Sequence, residues 1–319
     1  MAANRDERLE TFRTDSSGTV ANIWQLAPNA GWSGWSGLGG QLSGPPTVAA
    51  NVDGRLELFG VDTSGRLTHS WQLAPGQPWS GWVPLGGQVS GGRFTVFANI
   101  DGRLEIFAAG GDGVTRHSWQ LAAGGGWSAW YPVGIGLGAQ GISSIRQPDG
   151  RAMVVMVDAY GNAGRLTQQF AGGGGGTWEP IGSGLSGPPG LGINPDGRLE
   201  LFIATPAGTL YHQWQATPDG AWSGLVPIAG GFNGADLAVG RNADGRLEVF
   251  SSRADGTVVH VWQGPGGVWS GLAGLGQAAA PVSVQVDADG RLELFSPEGR
   301  THDWQVAPNG DWSGWWPLP

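Results

Sequence analysis

The chain has 319 residues, a formal net charge of −9, no Cys and no Lys. The lack of Cys excludes a disulfide scaffold, a thiolate metal site and a Cys nucleophile. An acidic chain without a basic cluster is poorly suited to nucleic acid, because phosphate contacts supply most of that affinity. No apolar run approaches the roughly 20 residues that span a bilayer. We therefore expect no nucleic-acid partner, no membrane insertion, and neither a metal nor another cofactor.

A seven-residue string recurs along the chain. Asp-Gly-Arg-Leu-Glu-x-Phe begins at Asp53, Asp101, Asp196, Asp244 and Asp289, and degenerate copies begin at Asp6 and Asp149. Neighbouring copies start 45 to 48 residues apart, a period typical of β-propellers and of helical arrays. The units are rich in Gly, Trp, Val and Thr, and their apolar residues alternate at period two, which favours strands. Although 60 Gly and 21 Pro suggest low complexity, 18 Trp argue against disorder.

The second unit shows the predicted strands in chain order: Thr47–Asn51, Leu56–Val61, Leu67–Leu73 and Trp79–Leu85. Asp53-Gly54 predicts a type I′ hairpin turn, in which both turn residues take positive φ. Seven such units predict an all-β, seven-bladed β-propeller with four antiparallel strands per blade and repeats of about 47 residues. We expect a single domain over 1–319, with blades near 1–43, 44–90, 91–138, 139–186, 187–233, 234–279 and 280–319. The ring closes either by packing of the first and last blades or by a shared terminal strand.

The His residues share one repeat position. All five, namely His69, His117, His212, His260 and His302, lie in Leu-x-His-x-Trp or a close variant of it, and we expect Asn22 and Gln168 to fill the position elsewhere. In a strand this spacing places His and Trp on the same face. Two interpretations remain open, a hydrogen bond between blades and a contact with a ligand. Replacement by Asn or Gln favours hydrogen bonding over proton transfer in both.

An Arg-x-Glu pair also recurs, as in Arg55/Glu57 and Arg103/Glu105. Residues i and i+2 share a strand face, so the pair is predicted to form a local ion pair. It serves either as a structural ladder or as a polar clamp for ligand hydroxyls. One carboxylate per blade is not the paired arrangement, with carboxyls roughly 5–10 Å apart, that glycoside hydrolysis needs. We expect no enzyme.

The motif Trp-Ser-Gly-Trp carries the most information. It occurs at Trp32/Trp35, Trp79/Trp82 and Trp312/Trp315, with Trp-Ser-Ala-Trp at Trp127/Trp130. Residues three apart on a strand face opposite ways, so the two Trp are predicted to touch opposite neighbouring blades. The first Trp recurs in all seven units (Trp178 in the fourth) and is interpreted as packing. The second, replaced by Pro180, Leu225 and Leu272 in three units, offers a flat platform for a sugar.

These landmarks resemble the repeat of the Photorhabdus-type bacterial lectins over essentially the whole chain. The resemblance implies a seven-bladed propeller that binds L-fucose and O-methylated sugars in pockets between adjacent blades. Similar repeats also resemble propeller modules appended to secreted actinobacterial enzymes. The fourth unit departs most, with Phe170 expected at the strand Trp, Gln168 at the His and Pro180 at the second Trp.

The hypothesis is a multivalent lectin whose partners are glycans or glycoconjugates. The alternative is a protein-binding or structural propeller with no sugar ligand. A secreted or cell-surface location is favoured, although the chain begins without a signal peptide, and nothing indicates an oligomer. The candidate sugar-binding residues are Trp35, Trp82, Trp130, Trp315, His69, His117, His302, Arg55, Arg103, Glu57 and Glu105.

Overall fold

Seven four-stranded antiparallel sheets make up the protein, which confirms the predicted seven-bladed β-propeller. The computed structural model describes residues 1–110, 112–133, 139–173, 175–232, 236–279, 281–296 and 300–319. Helical structure in these ranges is confined to the single 3-10 turns Ser90–Gly92 and Pro265–Gly267. Within the same ranges, no helix is both long and apolar enough to cross a membrane.

The strands follow one another through the blades in sequence order. The strands of the first two blades are β1 Ala2–Ala3, β2 Leu9–Thr14, β3 Val20–Trp24 and β4 Ser36–Gly39, then β5 Thr47–Ala50, β6 Leu56–Val61, β7 Arg66–Trp71 and β8 Val83–Gln88. Those of the third and fourth blades are β9 Phe94–Ala98, β10 Leu104–Ala109, β11 Thr115–Trp119 and β12 Tyr131–Pro132, then β13 Ala139–Arg146, β14 Ala152–Asp158, β15 Ala163–Gln168 and β16 Gly176–Gly182.

The strands of the fifth, sixth and seventh blades are β17 Ser186–Ile193, β18 Leu199–Ala204, β19 Leu210–Trp214 and β20 Val226–Ala229, then β21 Ala238–Arg241, β22 Leu247–Ser252, β23 Thr257–Trp262 and β24 Ala273–Gln277, then β25 Ser283–Val286, β26 Leu292–Phe295, β27 Thr301–Trp304 and β28 Trp316–Pro317.

The core lies between the blades. In six of the seven blades the second strand is buried along its length, and its side chains alternate between the two neighbouring blades. In β6, Leu56 and Leu58 pack against the first blade, while Phe59 and Val61 pack against the third. Each sheet therefore depends on both neighbours to bury its apolar faces.

The ring closes by packing, the first of the two predicted alternatives. Every sheet consists of four consecutive strands, so the first and last blades are each complete. Across the seam, Trp32 packs its edge on Phe295 with ring centroids 5.6 Å apart. Gln25 Nε2 donates a hydrogen bond to Asp287 Oδ1 at 3.2 Å. The seam is thus an ordinary interface between blades.

The predicted hairpin turn was wrong in type. Gly54 has a φ of 88°, whereas Asp53 is not among the residues with positive φ. Gly54 N donates to Asn51 O at 2.9 Å, and Asn51 N donates to Arg55 O at 2.8 Å. This is a type I turn followed by a glycine bulge, which needs the left-handed conformation only at the Gly. In the first unit, Glu7 occupies this place with a φ of 67°.

The predicted fourth strand was placed too early in the chain. Trp79 forms only an isolated bridge with Gln72, and β8 begins at Val83. Between them Gly81 has a φ of 83°, which interrupts the extended chain. The Trp-Ser-Gly-Trp motif is therefore a bend that leads into the outer strand.

Candidate functional site

A buried Glu organises each of six blade interfaces. In the second blade, Glu57 Oε1 lies 2.6 Å from His69 Nδ1, and Glu57 Oε2 accepts from Asn51 Nδ2 at 2.9 Å. Gln120 Nε2 of the third blade donates to the same Oε2 at 3.3 Å. The carboxylate thus joins the turn after β5, together with β6 and β7, to the next blade. The buried Glu residues at this position are Glu10, Glu57, Glu105, Glu200, Glu248 and Glu293.

The His residues lie at the predicted position, each with Nδ1 against the buried Glu. His117 contacts Glu105 at 2.5 Å, and His302 contacts Glu293. In the first blade Asn22 takes the same role, and its Nδ2 donates to Glu10 Oε1 at 2.6 Å.

The predicted Arg-x-Glu ion pair was wrong. Arg55 Nε instead pairs with Asp53 Oδ2 at 2.7 Å, and Arg103 Nε pairs with Asp101 Oδ2 at 2.7 Å. Arg55 is the residue after the glycine bulge and precedes β6, so strand alternation does not place it beside Glu57. Its Nη2 donates to Gly124 O of the next blade at 3.0 Å. The Arg residues therefore brace the hairpin turns.

Two indole rings, one from each blade, flank the buried Glu and its His partner, as the interface between the second and third blades shows. Trp71 lies 4.9 Å from the His69 ring at a tilt of 39°, and Trp127 of the next blade lies 6.2 Å away, almost perpendicular. Trp127 Nε1 also donates to Glu57 Oε1 at 3.3 Å. We call this space, bounded by the buried Glu, the His or Asn, the strand Trp, and the Gln and first motif Trp of the next blade, the interblade cleft.

The interblade cleft is open between the first and second blades, where its volume is about 530 Å³. Its lining includes Glu10, Asn22, Trp24, Gln72 and Trp79. The equivalent residues line a cleft of about 320 Å³ between the seventh and first blades, namely Glu293, His302, Trp304, Gln25 and Trp32. Both volumes lie within the range typical of small-molecule pockets.

The strand Trp and the first motif Trp were not among the sequence-predicted site residues. The first motif Trp was interpreted as packing, and it does pack, since Trp79 meets Phe12 edge-on at 5.6 Å. The spacing Leu-x-His-x-Trp could have identified the strand Trp, because it shares a strand face with His.

The fourth blade breaks the pattern, and its predicted alignment was wrong. Arg165 pairs with Val155 in the sheet just as His69 pairs with Phe59, so Arg165 holds the His position. Gln168 instead matches Gln120, and its Nε2 donates to Glu105 Oε2 at 3.0 Å. Counting from the hairpin Asp would have given this register, since Gln168 follows Asp149 by the same interval that separates Gln72 from Asp53. The strand Trp position is Thr167, not Phe170.

The motif positions of the fourth blade also shift. In the sheet, Trp178 pairs with Leu166, and the next residue, Glu179, pairs with Arg165, which holds the His position. Trp178 therefore holds the second motif position rather than the first. Pro180 correspondingly matches Pro84 of the second blade. The interface between the third and fourth blades therefore lacks the first motif Trp.

The interface between the fourth and fifth blades is closed by a side chain of the protein. Met153 replaces the buried Glu, and the guanidinium of Arg165 lies 4.8 Å above the Trp222 ring. Arg165 Nη2 also pairs with Glu179 Oε2 at 2.8 Å. The complete set of cleft residues remains at the other five interfaces.

The second motif Trp ties neighbouring blades together. Its indole N–H donates to a carbonyl of the preceding blade, at 3.2 Å from Trp82 to Leu38, 3.0 Å from Trp130 to Leu85 and 2.7 Å from Trp315 to Leu275. Trp79 and Trp82 both pack on the first blade, so the expectation that they touch opposite blades was wrong. The bend at Gly81 brings both rings to one side.

Trp35, the second motif Trp of the first blade, has a different partner. The Arg13 guanidinium lies 3.9 Å above the Trp35 ring. Trp130 also lines a separate cleft of about 380 Å³ with Asp112 and Arg116. Sugar binding by Trp35, Trp82, Trp130 and Trp315 stays a prediction.

Burial controls the protonation of His302 and Glu293 in the seventh blade. Desolvation lowers the pKa of His302 to about 4, so the imidazole is neutral at pH 7. Desolvation, followed by the nearby Asp287 carboxylate, raises the pKa of Glu293 to about 9. A neutral imidazole has one donor and one acceptor nitrogen, so the tautomer that donates from Nδ1 to Glu293 has Nε2 as its acceptor. Among the described residues, no cluster of three or more His, Asp or Glu could hold a metal ion.

Comparisons with known proteins support the propeller fold. Neither a family model nor a curated protein sequence matches the chain. The BP39L lectin from Burkholderia pseudomallei is similar in structure, with a TM-score of 0.85, 18% identity, and coverage of 99% of this chain and 97% of that chain. The SapL1 lectin in complex with α-methyl fucoside has a TM-score of 0.56, 13% identity, and coverage of 87% and 96%. A fungal alcohol oxidase of the AA5 family, in complex with copper, has a TM-score of 0.61, 13% identity, and coverage of 92% and 68%. At these identities the likeness establishes the fold alone.

Proposed function

We propose that the protein is a multivalent, non-enzymatic lectin that binds neutral sugars in the interblade clefts. The observation that carries this proposal is the cleft itself, where two indole rings flank the buried Glu and its His or Asn partner. Indole faces pack on the C–H face of a pyranose, while the carboxylate and the imidazole or amide bond its hydroxyls. Glu57, held by His69, Asn51 and Gln120, is already oriented by the protein. A preformed site of this kind loses little conformational entropy on binding.

The sugar class we propose is fucose or an O-methylated neutral sugar. The resemblance to the Photorhabdus-type lectins supports it, as do structural neighbours that include a lectin in complex with α-methyl fucoside. The net charge of −9 disfavours sialylated or phosphorylated glycans. A monosaccharide buries little area, so each cleft is expected to bind in roughly the millimolar to micromolar range.

Five complete clefts on one rigid ring make the protein multivalent. Simultaneous engagement of several clefts on a glycan surface raises the overall avidity by effective concentration, without any new contact. We therefore expect glycan-coated surfaces to be bound far more tightly than free sugar. Free L-fucose should release the protein from such a surface.

The stoichiometry of sugar binding tests this proposal. Isothermal titration calorimetry with methyl α-L-fucoside should give about five sites per chain. Trp269→Ala removes the first motif Trp of a complete cleft and should abolish one site. Trp222→Ala is the matched control, because Trp222 holds the same position in the cleft that Arg165 closes, and it should leave the stoichiometry unchanged. Equal stoichiometry for both variants and the parent would refute the assignment.

A protein-binding propeller is the second candidate. Leu26, Leu73 and Leu121 are each more than 60% exposed at the start of the connections between third and fourth strands. These connections emerge at the same edge of the blades as the Asp-Gly turns, where Val52 and Ile100 are also exposed. A folded protein that binds no glycan on an array would favour this candidate.

A further inference from the structure

The seventh blade differs from all others at one position that faces its interblade cleft. Six residues before the buried Glu, or before Met153 in the fourth blade, the other blades carry an amide: Asn4, Asn51, Asn99, Gln147, Asn194 and Asn242. Where the buried Glu is present, the Asn amide donates to its Oε2, as from Asn51 to Glu57 at 2.9 Å. The seventh blade has Asp287 instead, and an ionised carboxylate cannot donate that bond.

The substitution creates a pair of carboxyl groups at the cleft. Asp287 stands at the position from which the Asn amide of the other blades contacts the buried Glu, and both carboxyl groups line the same cleft. Two neighbouring carboxyl groups favour holding one proton between them, because ionisation of both would bring like charges together. Burial and this proximity raise the pKa of Glu293 to about 9, and burial also raises the pKa of Asp287. The pair therefore holds a proton at neutral pH in the place of the amide hydrogen.

The charged and polar groups around the pair leave room for a ligand cation. Arg291 Nη2 is 3.8 Å from Asp287 Oδ2, but Arg291 Nε is 2.7 Å from Asp289 Oδ2 and so already has a carboxylate partner. From the first blade, Gln25 Nε2 donates to Asp287 Oδ1 at 3.2 Å. His302 faces Glu293 with its Nδ1.

Aromatic rings complete the surroundings. Trp304 lies 4.8 Å from the His302 ring, and Trp32 of the first blade lies 6.0 Å from it. Both indoles and both carboxyl groups line the same cleft of about 320 Å³. An ammonium group gains both from indole faces and from charge-assisted bonds to carboxylates.

We propose that the cleft between the seventh and first blades binds the protonated amine of an amino sugar in preference to a neutral sugar, whereas the other complete clefts have no such preference. This inference rests on the proposed lectin function and assigns Asp287 as the residue that determines specificity. On binding, the ammonium N–H groups donate to Asp287 and Glu293, and the proton that the carboxyl pair held is released to solvent. The charge of the ligand replaces the charge of the displaced proton.

Glucosamine and N-acetylglucosamine are the probes, because acetylation removes the positive charge and retains the ring. Calorimetric titrations at pH 7 compare the parent protein with Asp287→Asn, which restores the amide of the other blades, and with Asn51→Asp, which builds the carboxyl pair in the second blade. The parent should bind glucosamine at one site, at least tenfold more tightly than N-acetylglucosamine. Asp287→Asn should lose that preference, and Asn51→Asp should gain a second glucosamine site.

Methyl α-L-fucoside separates this inference from the proposed function. If fucoside binds to the parent but Asp287→Asn leaves the glucosamine preference intact, the inference is overturned and the lectin proposal stands. If fucoside fails to bind while glucosamine binding depends on Asp287, the neutral-sugar proposal fails and the amine site remains. The release of a proton, measured in buffers of different ionisation enthalpy, should accompany glucosamine binding to the parent only at this cleft and should vanish in Asp287→Asn.

Discussion

Replacing Trp130 by Ala distinguishes the two roles that this side chain has been given. In the structure its indole N–H donates to Leu85 O at 3.0 Å, and its ring covers Gly87 of the preceding blade. Complete loss of a buried aromatic side chain costs about 3–5 kcal/mol. Because Trp130 is half-buried, we expect lost packing to cost about 2 kcal/mol of the free energy of unfolding. The lost hydrogen bond adds about 1 kcal/mol. Trp130→Ala should therefore reduce the free energy of unfolding by about 3 kcal/mol.

Urea unfolding, followed by Trp fluorescence, measures this loss, and calorimetry with methyl α-L-fucoside counts the sites on the same variant. Trp130→Leu is the matched control, because Leu225 and Leu272 hold this position in the fifth and sixth blades; it should recover a large part of the packing. Both variants should keep every fucoside site below the unfolding transition. An unchanged unfolding midpoint together with the loss of one site would refute the packing role and establish Trp130 as a sugar platform.

Three further predictions concern stability. Gly87→Ala should destabilise by about 2 kcal/mol on urea unfolding, because a Cβ there would lie 2.8 Å from Trp130 Cε2 at a φ of +69°; retention of full stability would contradict the close ring contact. Glu7→Gly should stabilise by about 1 kcal/mol in thermal unfolding, since Glu7 has a left-handed φ of 67°, and a lower Tm would contradict that reason. The folded state keeps the Glu293 proton up to a pKa of about 9, whereas an ordinary Glu loses it near 4.5, so stability falls as pH rises through this window. Asp287→Asn should lessen the decrease in Tm between pH 7 and pH 9, and an equal decrease in both proteins would refute the shared proton.

The repeat determined the fold, because a recurring hairpin signal at a fixed period needs no long-range information. The cleft was harder to predict, because it forms where two blades meet. The Arg-x-Glu pair shows the difficulty: alternation along an ideal strand places Arg55 beside Glu57, but the glycine bulge at Gly54 moves the guanidinium to Asp53. A single residue with positive φ therefore changed the predicted electrostatic partner.

The same local effect explains why the sequence pointed to the wrong Trp pairing. Trp79 and Trp82 were treated as residues of one strand, but the bend at Gly81 places both against the first blade. The predicted His and Glu residues were brought together by the register of the second and third strands. The spacing Leu-x-His-x-Trp places the strand Trp beside His, but the second indole ring of the cleft comes from the next blade, and strand alternation does not show that contact.

The fourth blade gives independent support for the first motif Trp as part of a binding surface. In that blade the buried Glu and the His are both absent, and the indole face of Trp222 is covered by the Arg165 guanidinium. Two replacements, Met153 for the buried Glu and Arg165 for the His, therefore remove the polar groups that would orient a sugar and add a side chain that occupies the ring face. The corresponding Trp269, at the interface between the fifth and sixth blades, packs against Phe202 and His212. Among the residues that the structure describes, no guanidinium lies over its ring. A Trp needed only for blade packing therefore does not require a cover. Arg165→Ala should expose Trp222 without creating a sugar site, because Met153 cannot supply the carboxylate, and fucoside stoichiometry above that of the parent would contradict the requirement for the buried Glu.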